Sequence, residues 1–373
     1  MRTHRMLVVG LVAAAAVLAG CSTGGSTALG LTADEPGGDP AQVVASEQPV
    51  EADAAAAAIP ADAAAPAATE TPVAIRVING CQIKPGTYCK DGNLSGANLS
   101  GVDLSGADLR GVNVAGTNFS GANLTGAEVS WIKGAGANFS GANFTNAKFS
   151  RTGMTTANFS DANLAGVDMS WANLDGANFT GATLTGASLY RTSLRNAELS
   201  GQNLMSTDLR HANLAGANLS NASLLGAQLF GSDMTGTNLR GADMTGADVR
   251  SVLTGADLTG ANLTKADLSY TKLANAKLAK AILANAAMPY TNLNAADLSG
   301  ADLSGTKMLR ADLRNANLSG ANLTNAYMGG VNLEGAKLRG ADLTGADLER
   351  APISGATWTD GRVCAAGSRG SCD

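Results

Sequence analysis

Large apolar residues recur at every fifth position through most of the chain, as in the stretch Gly96 to Arg110, where Leu99, Leu104 and Leu109 each follow an Asn or Asp. No α-helix has this period, because five residues advance by about 500° and would spread the leucines around its surface. A continuous strand alternates faces with a period of two and fails as well. The pattern therefore predicts an extended segment and a turn in every unit, so that the chain coils into a solenoid.

Each unit reads small, Asn or Asp, large apolar, Ser/Thr/Arg, and Gly or Asn. Alternation within the extended segment points the large residue and the small residue two positions before it inward. The small inward residue is mostly alanine, as at Ala107 and Ala122, which indicates a narrow interior. Gly or Asn in the last position supplies the turn, because both tolerate positive φ.

Rarer core residues indicate how many units form one coil. They recur at intervals of twenty, at Phe119, Phe139, Phe159 and Phe179 and at Met288, Met308 and Met328. Twenty residues are four units, so the predicted cross-section is square. From Leu94 to Ile353 this gives about thirteen coils and, at ~4.8 Å between coils, a rod about 60 Å long.

Two units depart from the pattern. The unit VLTG after Ser251 has four residues, so one corner of its coil must be cut or bulged. The unit IKGAG places Gly134 where a large residue belongs, and we expect Ile132 to fill that space.

The run of A(D/N)LxG units, including ANLTGAEVS and ADLTGADLER, resembles the pentapeptide-repeat family. The resemblance covers nearly three quarters of the chain and implies an all-β fold, a right-handed quadrilateral parallel β-helix, over residues 92–355. The family includes proteins that inhibit DNA topoisomerases by mimicking duplex DNA, and a larger number with no assigned activity.

Residues 1–20 read as a secretion signal, with a basic start and an apolar run from Met6 to Val17 that is too short to span a bilayer. The closing LAGC resembles a bacterial lipobox, which implies cleavage before Cys21 and a diacylglyceryl group on its thiol. An ordinary cleavage site that happens to end at cysteine is the alternative. Lipidation would anchor the exported protein on the outer face of the bacterial cell membrane. Residues 21–72, rich in Ala, Pro and Gly, are predicted to be a disordered tether.

The four remaining cysteines flank the repeats. Cys81 and Cys89 belong to a predicted N-terminal cap, residues 73–91, and Cys364 and Cys372 belong to a C-terminal cap, residues 356–373. In an exported chain two local disulfides are expected rather than metal sites, with reduced thiols as the alternative. The caps would cover the open ends of the solenoid, and Trp358 would fill the last core position.

Charge and composition weigh against several function classes. The net charge is −5, and the rod carries about twenty basic and about twenty acidic residues interspersed, unlike a DNA mimic. No nucleic acid partner is expected, because no basic stripe appears. His211 is interpreted as a solvated turn residue, and neither catalysis nor a cofactor or metal site is predicted.

Folding the sequence into rows of twenty brings aromatic and basic residues into two neighbouring columns. One contains Trp131, Arg151, Trp171, Arg191, His211 and, after the short unit, Tyr270, Tyr290 and Arg310; the other contains Tyr190, Arg210 and Phe230. Two interpretations stay open. The columns either form a ladder that stiffens one edge, with cation–π contacts of about 0.5–1 kcal/mol each, or dock a protein or a cell-wall glycan.

The sequence thus predicts a non-enzymatic scaffold or spacer in the bacterial envelope. The first alternative is a cell-wall glycan binder that uses the two columns, and the second, more remote, is a topoisomerase-binding DNA mimic. Pairing of two rods as a homodimer stays open.

Overall fold

A computed structural model describes residues 75–372. The predicted signal peptide, the lipidation site Cys21, the tether and the first two residues of the predicted N-terminal cap lie outside the described residues. Within residues 75–372 the backbone contains no helix, and the repeats form short extended contacts separated by turns. The described part of the chain is therefore all-β.

The extended contacts stack with a period of twenty residues. Parallel bridges pair Asn93 with Asn113 and Asn98 with Asn118, and the next two sides follow in the same way. Four such bridges fall within each twenty residues, so each coil has four sides. Backbone hydrogen bonds run between coils, as from Leu94 N to Asn113 O at 2.8 Å. The predicted coil of four units is confirmed.

The interior is filled by the residues that the pattern points inward. Leu94, Leu99 and Leu104 are fully buried, as are most of the small residues, mainly alanines, two positions before each large residue. One inner column consists of stacked phenylalanine rings, with centroid distances of 5.0 Å from Phe119 to Phe139 and 5.3 Å from Phe139 to Phe159. Burial of these side chains at about 25 cal/mol per Å2 of apolar surface is the main stabilising contribution.

The Asn or Asp of each unit has a role in the turn that follows. The Asn93 side-chain oxygen accepts a hydrogen bond from Ser95 N at 3.1 Å, and the same bond recurs in most units. Some of these amides also bond to each other between coils, as from Asn118 Nδ2 to Asn98 Oδ1 at 3.1 Å. Asn and Asp are favoured because their short side chains close such turns.

The two departures from the pattern are resolved locally. Asp248 pairs with Asp267 and Val252 with Lys272, so one coil contains nineteen residues and the coils after it return to twenty. The expectation for Gly134 is wrong in part. The atoms nearest to the space that its side chain would occupy belong to Met154 of the next coil and to Val114, and not to Ile132.

Each end of the stack carries antiparallel structure. Strands β1 (Arg76–Ile78) and β2 (Cys81–Ile83) form a hairpin. Its turn is Asn79 and Gly80, both at positive φ, a sequence that favours this tight connection.

Disulfides close both ends. They join Cys81 to Cys89 and Cys364 to Cys372, as the sequence predicts. After the last coil the chain reverses, with antiparallel bridges such as that from Thr357 to Val363, and the half-buried Trp358 packs against the core. Within residues 75–372, no helical segment has the length and hydrophobicity that crossing a bilayer requires.

Candidate binding surface

One corner of the four-sided coil differs from the other three. We call it the aromatic corner, and define it as Trp131, Arg151, Trp171, Tyr190, Arg191, Arg210, His211, Phe230, Tyr270, Tyr290 and Arg310. The structure places all of these residues at the same turn of successive coils, because coils stack in register every twenty residues. Trp131 and Trp171 are 56% and 49% exposed. These side chains are therefore available for contact.

The backbone of the aromatic corner is left-handed at bulky residues. The φ angles are 64° at Trp131, 64° at Trp171 and 60° at Tyr270. At the other three corners of the repeats, the same position is mostly Gly or Asn. Left-handed backbone at a residue with a Cβ costs roughly 1–2 kcal/mol, so this corner is strained where glycine would relax it.

The first part of the aromatic corner forms a chain of ring contacts. The Arg151 guanidinium lies 5.1 Å from the Trp131 ring centroid, and that of Arg191 lies 4.7 Å from the Trp171 centroid. The Trp171 and Tyr190 rings meet edge to face at 6.4 Å. Aromatic and cationic groups thus alternate along the axis.

His211 continues this chain. Its ring meets Tyr190 at 5.8 Å and Phe230 at 5.6 Å, both edge to face, and Arg250 lies 5.0 Å from the Phe230 centroid. The imidazole also lies over Gly231 of the next coil, where a Cβ would come within 2.6 Å of His211 Nδ1. Gly231 therefore leaves room for the histidine.

The nineteen-residue coil divides the aromatic corner in two. Its missing residue falls at the corner position, so the second part starts again at Tyr270, whose ring stacks on that of Tyr290 at 5.1 Å. Arg310 occupies the same column in the next coil. The column that the sequence predicts is thus present as two runs, separated at the short unit.

Hydroxyl groups hold the backbone behind the corner. Thr192, Thr271 and Thr291 follow corner residues and point inward. Their hydroxyls donate to carbonyl oxygens of the preceding coil at 3.0, 2.9 and 2.8 Å. At these three positions threonine bonds to a buried carbonyl, whereas the hydroxyl of the buried Thr152, which follows Arg151 in the same column, has no hydrogen-bond partner among the described residues.

The arginines near the corner fall into two groups. Arg210 donates to both carboxylate oxygens of Asp208, at 2.9 and 2.7 Å, and the same fork joins Arg110 to Asp108 and Arg250 to Asp248 at this corner. Arg314 forms the same fork with Asp312 at the next corner of its coil. The hydrogen bond from Arg210 lowers the pKa of Asp208. Within residues 75–372, Arg151, Arg191 and Arg310 form no ion pair. Their donors remain free for a ligand.

A shallow groove of about 520 Å3 lies beside the first part of the aromatic corner, and the sequence prediction missed it. It contains Ser130, Ser150 and Ser170, and we call it the serine groove. Serine is common at this position of the repeat unit, so the sequence alone does not mark these three serines. The groove is recognised only when the larger side chains that surround them in space are known. Among the residues that the structure describes, no cluster of side chains could hold a metal ion.

The family model for pentapeptide repeats matches a series of partly overlapping segments of this chain. The matched residues are 89–130, 135–161, 162–201, 172–210, 207–246, 249–285, 278–315, 291–330 and 316–356. These ranges cover more than half of the chain and most of the stacked coils.

Solved structures give further relatives. HetL, a pentapeptide repeat protein involved in heterocyst differentiation regulation in the cyanobacterium Nostoc, is 32% identical, over 74% of this chain and 91% of its own, with a TM-score of 0.17. A pentapeptide repeat protein of the Arabidopsis thaliana thylakoid lumen is 39% identical over 25% of this chain and 65% of its own, with a TM-score of 0.25.

QnrB1, a plasmid-mediated fluoroquinolone resistance protein, is 22% identical over 51% of this chain and 88% of its own, with a TM-score of 0.31. Among curated proteins none matches. The repeat matches, which cover more than half of the chain, establish that the chain belongs to the pentapeptide-repeat family.

Proposed function

We propose that this protein is a non-enzymatic scaffold that binds a partner through its aromatic corner. The observation that carries the proposal is the left-handed backbone at Trp131, Trp171, Tyr270 and Tyr290. Each such residue costs roughly 1–2 kcal/mol, whereas an exposed cation–π contact contributes about 0.5–1 kcal/mol. At Trp131, whose ring contacts only Arg151 among the described residues, stacking offsets part of the strain, and strain kept at a surface is a mark of function.

The construction of the solenoid supports binding at the outer surface. The interior is filled by Leu, Ala, Phe and Met side chains, which leaves the outer walls and corners for contact. In the fold of this family, a right-handed quadrilateral β-helix, successive coils hold corner residues at a fixed spacing of about 4.8 Å. Such an array presents rings and guanidinium groups in a rigid line, so little entropy is lost when a partner docks.

DNA mimicry of the kind that inhibits topoisomerases has less support. It needs a continuous acidic surface. Here Asp108, Asp208 and Asp248 are each neutralised by an arginine two residues later. The surface charges are therefore mixed in sign.

The envelope is the proposed location, with Cys21 as the lipid anchor. A Cys21→Ala variant is expected to lose radiolabelled palmitate and to leave the membrane fraction. Retention of label by that variant would contradict the anchor and leave the binding proposal standing.

Binding is tested by replacing Trp171, Tyr190 and Phe230 together with serine. We expect this variant to lose envelope partners that the wild-type protein retains in pull-down experiments. The matched control replaces Tyr88 and Tyr327, which are 72% and 61% exposed but lie outside the aromatic corner. Equal retention of every partner by the triple variant would overturn the proposal.

A further inference from the structure

We propose that the serine groove binds an uncharged carbohydrate chain. The inference rests on the proposed binding function and names the ligand class for one part of the aromatic corner. The groove runs along the solenoid axis and spans five coils. Ser130, Ser150 and Ser170 form its floor, and Arg110 and Tyr190 close its two ends in the same column. At ~4.8 Å between coils the ends lie about 19 Å apart, which suits a short oligosaccharide.

The walls of the serine groove differ in chemistry. On one side stand Trp131, Arg151 and Trp171, and on the other side lie the carboxylates of Glu128 and Asp168. A sugar ring has an apolar C–H face and hydroxyl groups around its edge. The indoles offer surfaces for the face, and carboxylates, serine hydroxyls and a guanidinium offer partners for the edge.

Polar groups in the groove are available to a ligand. Within residues 75–372, neither the Ser150 hydroxyl nor the Arg151 guanidinium forms a side-chain hydrogen bond. The guanidinium stacks on the Trp131 ring. Ser130 Oγ donates to Glu128 Oε1 at 2.6 Å, and Lys148 Nζ lies 3.5 Å from Glu128 Oε2, but each carboxylate oxygen can accept a further hydrogen bond. A few such groups beside apolar surface are typical of small-ligand sites.

The charge of the lining favours a neutral ligand. Two guanidinium groups, of Arg110 and Arg151, face two carboxylates, of Glu128 and Asp168. Arg110 Nη2 lies 2.6 Å from Asp108 Oδ2, and Lys148 Nζ lies 3.5 Å from Glu128 Oε2, which leaves one cation, Arg151, and one carboxylate, Asp168, outside these two ion pairs. An acidic or a basic ligand would therefore leave one sign unmatched, whereas hydroxyl groups bond to both signs.

The backbone beside the groove argues against a peptide that adds as a strand. Arg151 N donates to Ser170 O at 3.0 Å and Trp171 N donates to Tyr190 O at 3.0 Å. These groups are used between coils, so the groove has no open edge for strand addition. A proline-rich peptide, which binds aromatic grooves without such bonds, is the competing ligand that an experiment must separate.

The groove exists because serine interrupts a column of larger residues. In the same column the next coils carry Tyr190, Arg210, Phe230 and Arg250. A Ser150→Phe substitution would fill the groove with a residue type that this column already accepts at Phe230. Ser269→Phe is the matched control, because Ser269 occupies the same column outside the groove.

The test is to titrate the full-length protein separately with chitotetraose, cellotetraose and decaproline. Tryptophan fluorescence is the readout of each titration. We expect a blue shift with a tetrasaccharide, an affinity at least about tenfold lower for Ser150→Phe, and no more than about a twofold change for Ser269→Phe. Trp171→Phe should weaken binding without abolishing the fold, which circular dichroism verifies.

Three results would overturn the carbohydrate proposal. They are saccharide binding that survives Ser150→Phe, a response to decaproline alone, or no response to either tetrasaccharide or to any neutral glycan on an array. In each case the pull-down with the triple corner variant decides the proposed function separately, because Ser150→Phe leaves Trp171, Tyr190 and Phe230 in place.

Discussion

Individual residues at the turns are constrained both by their backbone and by the coil that stacks next to them. Gly231 illustrates both constraints, because it has a φ of 70° and lies under the His211 imidazole. Gly236, at another corner, has a φ of 65° with open space around the position of a Cβ. The two glycines therefore separate strain in the backbone from contact between coils.

We predict that Gly231→Ala destabilises the protein more than Gly236→Ala. Both variants place a Cβ on left-handed backbone, at roughly 1–2 kcal/mol each. Only Gly231→Ala also pushes His211 away from Tyr190 and Phe230. Thermal unfolding followed by circular dichroism measures the difference, and equal values of Tm for the two variants would show that His211 does not lie over Gly231.

Each coil is the element of this fold, and aromatic residues serve it in two different ways. Phe159 lies inside and contacts Phe139, Phe144, Phe149 and Phe179 at centroid distances between 5.2 and 6.2 Å. Phe230 lies outside and is 42% exposed. The first holds coils together, and the second belongs to the aromatic corner.

Truncation of the two phenylalanines should separate these roles. Phe159→Ala removes a fully buried ring at the centre of the stack and is expected to lower the free energy of unfolding by about 3–5 kcal/mol. Phe230→Ala is expected to cost less than about 1 kcal/mol, since its ring is half in water. Urea unfolding provides both values, and a similar loss for the two would contradict the assigned core.

The coil was predictable from the sequence because its signal is local and repeated. The period of five and the stacked Phe119, Phe139 and Phe159 are enough to give four sides. The serine groove was not predictable in the same way, since Ser150 resembles dozens of other unit residues until its neighbours in space are known. Met154 was missed beside Gly134 for a similar reason, because the flexible side chain that fills a gap comes from another coil.

For the whole molecule, stability is the sum of contacts between neighbouring coils, so unfolding is expected to begin at the ends. The disulfide between Cys364 and Cys372 closes one end, where Thr357 pairs back with Val363. The disulfide between Cys81 and Cys89 closes the other. Each cap covers backbone groups that the last coil would otherwise expose.

Replacing Cys364 and Cys372 by serine should loosen the C-terminal end alone. A disulfide that closes so short a loop contributes about 2–3 kcal/mol to local stability in the chain-entropy model. Hydrogen exchange should become faster in residues 336–372 and stay unchanged in residues 93–300. The matched variant at Cys81 and Cys89 should instead exchange faster at the N-terminal end. A uniform increase in the hydrogen-exchange rate along the chain would contradict unfolding that begins at the ends.

The nineteen-residue coil shows how such a protein can change its length. Asp248 still pairs with Asp267, and all later parallel bridges again join residues twenty positions apart. The loss of one residue is therefore absorbed within a single corner. A whole coil can then be added or removed without turning any downstream face away from its direction. The distance between the two parts of the aromatic corner can in this way change in steps of one coil.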